Sequence, residues 1–186
     1  MTVSLRQLPN LISLFRILLI VPIAAALLHR EWLAALALFF IAAVSDAADG
    51  FLAKQFGWQT DLGALLDPSA DKLLVATVFV TLTVQGSVPL WLTAAVVGRD
   101  LTIVLGALAY RLWFGPLRMR PTAVSKLNTL FQLTFILCVV ARREFALPPA
   151  WFETLLGALV LATTAVSGID YVLSYGGRAA RARGAA

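Results

Sequence analysis

The sequence has few charged residues, one cysteine and one histidine. Only 13% of its 186 residues are Asp, Glu, Lys or Arg, whereas 60% are hydrophobic and the mean hydropathy is +0.87. Soluble domains carry about 25% charged residues, so this composition excludes an ordinary soluble protein. Cys138 has no second cysteine with which to form an internal disulfide. Because His29 is the only histidine, we expect no histidine-based catalysis.

The hydrophobic residues fall in runs long enough to cross a bilayer. A membrane-spanning helix needs about 20 predominantly apolar residues. Six such segments can be drawn, and their predicted bounds are 11–29, 32–53, 62–84, 88–110, 124–142 and 149–175. Helix breakers such as "QGSVP" and "FALPP" separate them. The sequence therefore predicts an all-α integral membrane protein with six transmembrane helices, comprising a membrane domain over residues 1–176 and a basic, disordered tail over residues 177–186.

The basic residues predict the orientation of these helices. With the N-terminus in the cytoplasm, nine Lys and Arg residues lie on the inner side: Arg6, Lys54, Arg111, Arg118, Arg120, Lys126, Arg178, Arg181 and Arg183. Three lie on the outer side: Arg30, Arg142 and Arg143. Cytoplasmic loops of membrane proteins are enriched in positive charge, so both termini are predicted to be cytoplasmic. The net charge of +5 follows from these loops, and we expect no nucleic-acid partner.

Carboxylates are scarce but concentrated. Five of the ten acidic residues fall between residues 46 and 71. Asp46 and Asp49 would end the second span, and Asp67 and Asp71 would begin the third, both at the cytoplasmic face. Spacings of three and four residues put each pair on one side of its helix. Because the connection between the spans is short, we expect the two pairs to face each other.

Four facing carboxylates at a membrane must be protonated, paired with cations of the protein or bound to metal. Oxygen ligands without nearby His or Cys suit Mg²⁺, Mn²⁺ or Ca²⁺ rather than zinc. Two divalent ions about 3.5–4 Å apart would balance the charge and clamp a phosphoryl group. A cation transporter also uses intramembrane carboxylates, but it would spread them across the depth of the bilayer. A membrane prenyltransferase shares the metal and the diphosphate but has different aspartate motifs.

The spacing of these residues resembles a known signature. The string Asp46-x2-Asp49-Gly50-x2-Ala53-Lys54-x8-Gly63-x3-Asp67-x3-Asp71 is similar to that of the CDP-alcohol phosphotransferase family, and the six-span layout resembles the family along nearly the whole chain. The signature usually has Arg where this chain has Lys54, and Lys lacks the bidentate fork of a guanidinium.

The resemblance implies an enzyme that transfers the phosphatidyl group of CDP-diacylglycerol to an alcohol and releases CMP. It implies a pair of divalent cations, Mg²⁺ or Mn²⁺, held by Asp46, Asp49, Asp67 and Asp71. Asp71 would also be the general base on the acceptor hydroxyl. The CDP donor would contact Gly50, Ala53, Lys54 and Gly63. The resemblance further implies a homodimer, and with the predicted topology it implies a bacterial inner membrane with the active site facing the cytoplasm.

Two acceptors remain open, phosphatidylglycerol and glycerol-3-phosphate. Residues expected to bind the acceptor or its phosphate are Ser13, Arg16, Arg99, Lys126 and Asn128; alternatively, Arg99 and Asp100 simply neutralise each other. Glycerol-3-phosphate users resemble one another in carrying Gly-Lys-x-Lys-Thr in span five, whereas this chain has "SKLNT", which is similar to the cardiolipin synthases of the family. Because glycerol-3-phosphate is a dianion, replacing the second Lys by Asn128 favours the lipid acceptor.

Overall fold

The structure is a computed structural model that describes residues 8–56, 61–114 and 122–184, with side chains described for residues 11–45, 69–108 and 122–173. Over the described ranges the backbone is helical and contains no strand. The helices are α1 (Leu8–Leu28), α2 (Trp32–Phe56), α3 (Asp61–Val84), α4 (Leu90–Phe114), α5 (Ala123–Phe145) and α6 (Ala150–Gly184). The prediction of an all-α chain with six helices is confirmed.

Three of the helices end at a residue in the left-handed region. α1 stops before Arg30 (φ 61°), whose N–H donates to Leu27 O at 2.9 Å. α3 stops before Gly86 (φ 70°), whose N–H donates to Thr83 O at 2.9 Å. Ala146 (φ 57°) follows α5. Such caps satisfy the last carbonyls of a helix, and two of them lie in the breakers predicted from the sequence.

The last helix is longer than the sequence suggested. α6 extends to Gly184, so the backbone of residues 177–184 is helical where composition had predicted a disordered tail. The segment "RAARAR" consists of two of the best helix formers. The helix propensity of these residues therefore accounts for the helical backbone up to Gly184.

The chain divides into two compact units. The first holds α1, α2, α3 and the end of α5, and in it α1 packs against both α2 and α3. Gln85 Nε2, just after α3, donates to the backbone oxygen of Leu27 and so links α3 to α1. Buried apolar side chains recur every three or four residues, the spacing of one helix face. They are Leu19, Ile23 and Leu27 in α1, Ala35, Phe39 and Ala42 in α2, and Leu74, Val78, Phe79 and Leu82 in α3.

The second unit holds α4, α5 as far as Ile136, and α6. Here α4 packs against α6. Gly157 allows a close approach, because a Cβ at this position would lie 3.4 Å from Phe135 Cε2 and 3.8 Å from Leu92 Cδ2. Val96 and Val160 are buried in the same core.

The described helices identify an integral membrane protein. Among the residues described, four segments are long and apolar enough to cross a membrane: Leu11–Leu28, Leu90–Leu108, Ala123–Phe145 and Ala150–Leu173. Large apolar side chains such as Leu18, Val21 and Leu173 are exposed on these segments, as expected of helices that face lipid. α2 carries a shorter apolar stretch, Trp32–Ser45. The side chains of residues 46–68 lie outside the described part, so spanning by α2 and α3 stays a prediction, as does the orientation of the termini.

We predict that Phe79→Ala destabilises the first unit strongly. Phe79 is 0% exposed, and truncating a buried Phe to Ala costs about 3–5 kcal/mol through lost contacts and an unfilled cavity. The neighbouring Val80 is 48% exposed, so Val80→Ala is the matched control and should change stability by about 0.5 kcal/mol at most. Thermal unfolding in detergent measures both, and equal shifts for the two variants would contradict the assigned core.

Candidate active site

The acidic motif lies on two consecutive helices. α2 continues to Phe56 and so includes Asp46 and Asp49 in its last turns, and α3 begins at Asp61 and includes Asp67 and Asp71 in its first turns. Spacings of three and four residues within a continuous helix bring each pair onto adjacent turns. Asp71 is the one motif carboxylate whose side chain belongs to the described part. The predicted contacts of Asp46, Asp49, Asp67, Gly50, Ala53, Lys54 and Gly63 fall outside it.

Asp71 is bonded to a buried arginine of another helix. Arg16 Nη1 in α1 donates to Asp71 Oδ1 at 2.5 Å. The Arg16 side chain is 1% exposed, whereas that of Asp71 is 42% exposed. Ser13, one turn before Arg16, is 0% exposed. The first unit thus brings together Asp71, the predicted general base, and Arg16, which the sequence predicts to bind the acceptor or its phosphate.

A second buried arginine organises the other unit. Arg99 in α4 is 8% exposed, and its Nη1 lies 2.5 Å from Asp100 Oδ1. Its Nη2 donates to Ser125 Oγ at 2.7 Å and to Ser167 Oγ at 2.5 Å, and its guanidinium carbon lies 5.8 Å from the centre of the Tyr171 ring. Arg99 is therefore both charge-compensated and held by α5 and α6.

Sequence reasoning missed Ser167 and Tyr171. Both belong to a set of polar residues that recur at helical spacing in the apolar α6: Thr163, Thr164, Ser167 and Tyr171. A polar stripe of this kind inside a span predicts contacts with a neighbouring helix. That periodicity was the signal available in the sequence.

Lys126 and Asn128 have different surroundings. Lys126 is exposed, while Asn128 is 0% exposed and its Oδ1 lies 2.9 Å from the hydroxyls of Thr163 and Thr164. Within the described part, Asn128 Nδ2 and Gln132 Nε2 are buried without a hydrogen-bond partner. Asn128 thus contributes to the contact between α5 and α6. The amide nitrogens of Asn128 and Gln132 could each still donate hydrogen bonds inside this unit.

An apolar groove of about 400 Å³ runs beside Arg99 between α4 and α6. Ala95, Thr164, Ala165, Gly168 and Leu173 are among its lining residues. A Cβ added at Gly168 would lie 3.6 Å from Arg99 Cγ, which is ordinary contact. The surface of the groove is apolar, and the guanidinium of Arg99 beside it is bonded to Asp100, Ser125 and Ser167.

No cluster of three or more His, Cys, Asp or Glu side chains occurs among the described residues. Three of the four predicted metal ligands, Asp46, Asp49 and Asp67, are not in that set. The predicted metal centre therefore stays a prediction.

Most of the chain is similar to one family of membrane enzymes. Residues 6–169 match the family model described as CDP-alcohol phosphatidyltransferase. The chain belongs to the CDP-alcohol phosphatidyltransferase family. The resemblance carried by the aspartate spacing is thereby confirmed.

Relatives within the family have two different names. The chain is 30% identical to the cardiolipin synthase (CMP-forming) of Rattus norvegicus, over 88% of this chain and 59% of the relative. It is 39% identical to the CDP-diacylglycerol–glycerol-3-phosphate 3-phosphatidyltransferase of Pseudomonas fluorescens, over 81% of this chain and 78% of the relative. It is 34% identical to the enzyme of that name from Escherichia coli, over 79% and 81% respectively. The chain spans about three fifths of the length of the mammalian cardiolipin synthases it matches.

We predict that Asn128→Lys lowers stability. Asn128 is fully buried against two threonines, and a buried ammonium without a carboxylate partner costs several kcal/mol. Lys126→Asn, two residues away at an exposed position, is the control and should shift stability by about 0.5 kcal/mol or less. Thermal unfolding compares the two. A stable Asn128→Lys protein would show that position 128 is less tightly enclosed than the geometry indicates.

Proposed function

We propose that this protein is a metal-dependent phosphatidyltransferase that moves the phosphatidyl group of CDP-diacylglycerol to phosphatidylglycerol, forming cardiolipin and releasing CMP. The observation that carries the proposal is the complete aspartate motif, located at the end of α2 and the start of α3, in a chain that matches the family over residues 6–169. The alternative acceptor is glycerol-3-phosphate, which appears in the name of the relative from Pseudomonas fluorescens.

The motif fits two divalent cations, Mg²⁺ or Mn²⁺. It supplies only carboxylate oxygens, the ligands that these ions prefer, and the Asp71 carboxylate remains 42% exposed beside its bond to Arg16. Asp46, Asp49, Asp67 and Asp71 would hold the ions. When bound, divalent cations neutralise the charge of a diphosphate during displacement.

We assign proton transfer and donor binding to residues of the chain. Asp71 takes the proton of the acceptor hydroxyl, and the acceptor oxygen attacks the phosphorus of the phosphatidyl group. The bond from that phosphorus to the oxygen of CMP breaks, and CMP leaves with the electron pair. Gly50, Ala53 and Gly63 have little or no side chain, which allows the nucleotide to come close to the helices. Lys54 would contact the diphosphate.

The surroundings of Arg99 support a lipid acceptor. Arg99 is already compensated by Asp100 at 2.5 Å, which suits a phosphodiester with one charge better than a dianionic phosphate. The groove beside it is apolar and about 400 Å³ in volume, within the range of small-molecule sites and suited to an acyl chain. Ser13, Lys126 and Asn128 remain candidate acceptor contacts.

The proposed setting is a bacterial inner membrane. Six spans over residues 1–176 follow from the apolar segments. Cytoplasmic termini and an active site at the cytoplasmic face follow from the distribution of Lys and Arg. We also propose a homodimer, as the family resemblance implies.

An acceptor screen tests the function directly. Purified protein with labelled CDP-diacylglycerol and Mg²⁺ or Mn²⁺ should release CMP with phosphatidylglycerol and form cardiolipin, and chelation of the metal should abolish release. Glycerol-3-phosphate serves as the competing acceptor in a parallel reaction. Reaction with glycerol-3-phosphate alone would make the chain a phosphatidylglycerophosphate synthase, and no CMP release with either acceptor would contradict the transferase proposal.

Asp71→Asn should retain donor binding but lose transfer. General-base catalysis contributes about 10²–10⁴-fold to rates, so CMP release should fall by at least about 100-fold. Asp61→Asn is the matched control, because Asp61 begins α3 but stands outside the spacing of the motif. Donor binding and thermal unfolding are measured on both variants. Normal turnover by Asp71→Asn would remove its role as the base.

A further inference from the structure

Arg16 occupies a costly position. It lies in the apolar segment Leu11–Leu28 of α1, and it is among the largest fully buried side chains, at 1% exposure. A guanidinium in such surroundings requires a compensating charge and hydrogen bonds. Arginine also keeps its charge in proteins, so Arg16 cannot relieve the cost by becoming neutral.

The contact with Asp71 is asymmetric. Arg16 Nη1 and Asp71 Oδ1 lie 2.5 Å apart, with the arginine side chain 1% exposed and the aspartate side chain 42% exposed. The arginine side chain is enclosed where α1 packs against α2 and α3, and Leu19, one turn later in α1, is also buried. The Asp71 carboxylate accepts from Arg16 at Oδ1 and, at 42% exposure, can still be reached from outside the helix core. A rigid, buried partner of this kind sets the position of the group it binds.

We propose that Arg16 is the positioning residue for the catalytic carboxylate of Asp71. By holding Oδ1, Arg16 fixes the direction in which the carboxylate faces the acceptor hydroxyl. Because a guanidinium has no acceptor lone pair, it cannot compete for the proton that Asp71 receives. The inference rests on the proposed function, in which Asp71 is the general base, and it gives Arg16 a role different from the phosphate binding expected from sequence.

Two other roles make different kinetic predictions. A phosphate-binding Arg16 would act on the affinity for a substrate, and at 1% exposure it could reach one only after the contact with Asp71 opened. A purely structural Arg16 would act on stability through the link between α1 and α3. Gln85 provides the comparison, since it links the same two helices through Leu27 O and lies outside the acidic motif.

The experiment compares Arg16→Gln, Arg16→Lys and Gln85→Leu in the full chain, reconstituted in lipid nanodiscs. The rate of CMP release from CDP-diacylglycerol gives kcat and the acceptor KM. Binding of labelled CDP-diacylglycerol and thermal unfolding are measured on the same samples. Partners that orient a functional group typically contribute about 10–100-fold, so Arg16→Gln should lower kcat by about that factor. Its acceptor KM and donor Kd should stay within about threefold, because on this inference Arg16 acts through Asp71 and not on either substrate.

Arg16→Lys should have a kcat between those of Arg16→Gln and the wild-type protein, since lysine retains the positive charge but lacks the planar guanidinium. If Arg16→Gln fails to fold, Arg16→Lys alone tests the inference through a lowered kcat at unchanged KM. Gln85→Leu should lower the unfolding temperature and leave kcat unchanged.

Three results would overturn the inference: an unchanged kcat in both Arg16 variants, a raised acceptor KM at unchanged kcat, or a loss of kcat in Gln85→Leu that matches the loss in Arg16→Gln. All three require an active wild-type protein. A wild-type protein that releases no CMP with either acceptor would instead overturn the proposed function, and the inference with it.

Discussion

An ionised side chain among apolar helices must find a compensating partner, and this requirement shapes both units of the protein. Arg16 is buried at 1% exposure against Asp71, and Arg99 is buried at 8% exposure among Asp100, Ser125 and Ser167. Removing one member of such a pair leaves a buried charge uncompensated, at a cost of about 3–5 kcal/mol. The position of each partner is therefore constrained by charge as well as by packing.

The two pairs have different structural consequences. Arg99 and Asp100 are neighbours in α4, so their contact alone fixes nothing between helices, and the serines of α5 and α6 supply that link. Arg16 and Asp71 are 55 positions apart and lie on different helices. Their distance depends on how α1 packs on α3, and hence on core residues such as Phe79, two turns after Asp71. Stability and the geometry of the carboxylate are therefore coupled in the first unit.

These differences explain which features could be predicted from sequence. The helices follow from runs of apolar residues and from breakers, and the order of the aspartates along α2 and α3 follows from their spacing alone. The partner of Arg16 could not be predicted, because any of several carboxylates satisfies its charge and the choice depends on the rotation and depth of α1 against α3. Asn128 is a similar case: its residue type predicts a polar contact, but its burial against Thr163 and Thr164 depends on how α5 packs on α6. Burial depends on both neighbouring helices, and periodicity in one helix does not contain that information.

The charge surrounding Arg99 bears on the choice of acceptor. Phosphatidylglycerol and glycerol-3-phosphate both present a glycerol hydroxyl, but the first carries one phosphodiester charge with two acyl chains and the second carries a phosphate dianion without them. A cation already bonded to Asp100 at 2.5 Å has less attraction left for a dianion, because the carboxylate repels it at short range. The apolar groove beside Arg99 offers a surface on which an acyl chain can pack. On the proposed function, a cation already paired with a carboxylate and an adjacent apolar surface are the two features that would favour a lipid acceptor over glycerol-3-phosphate.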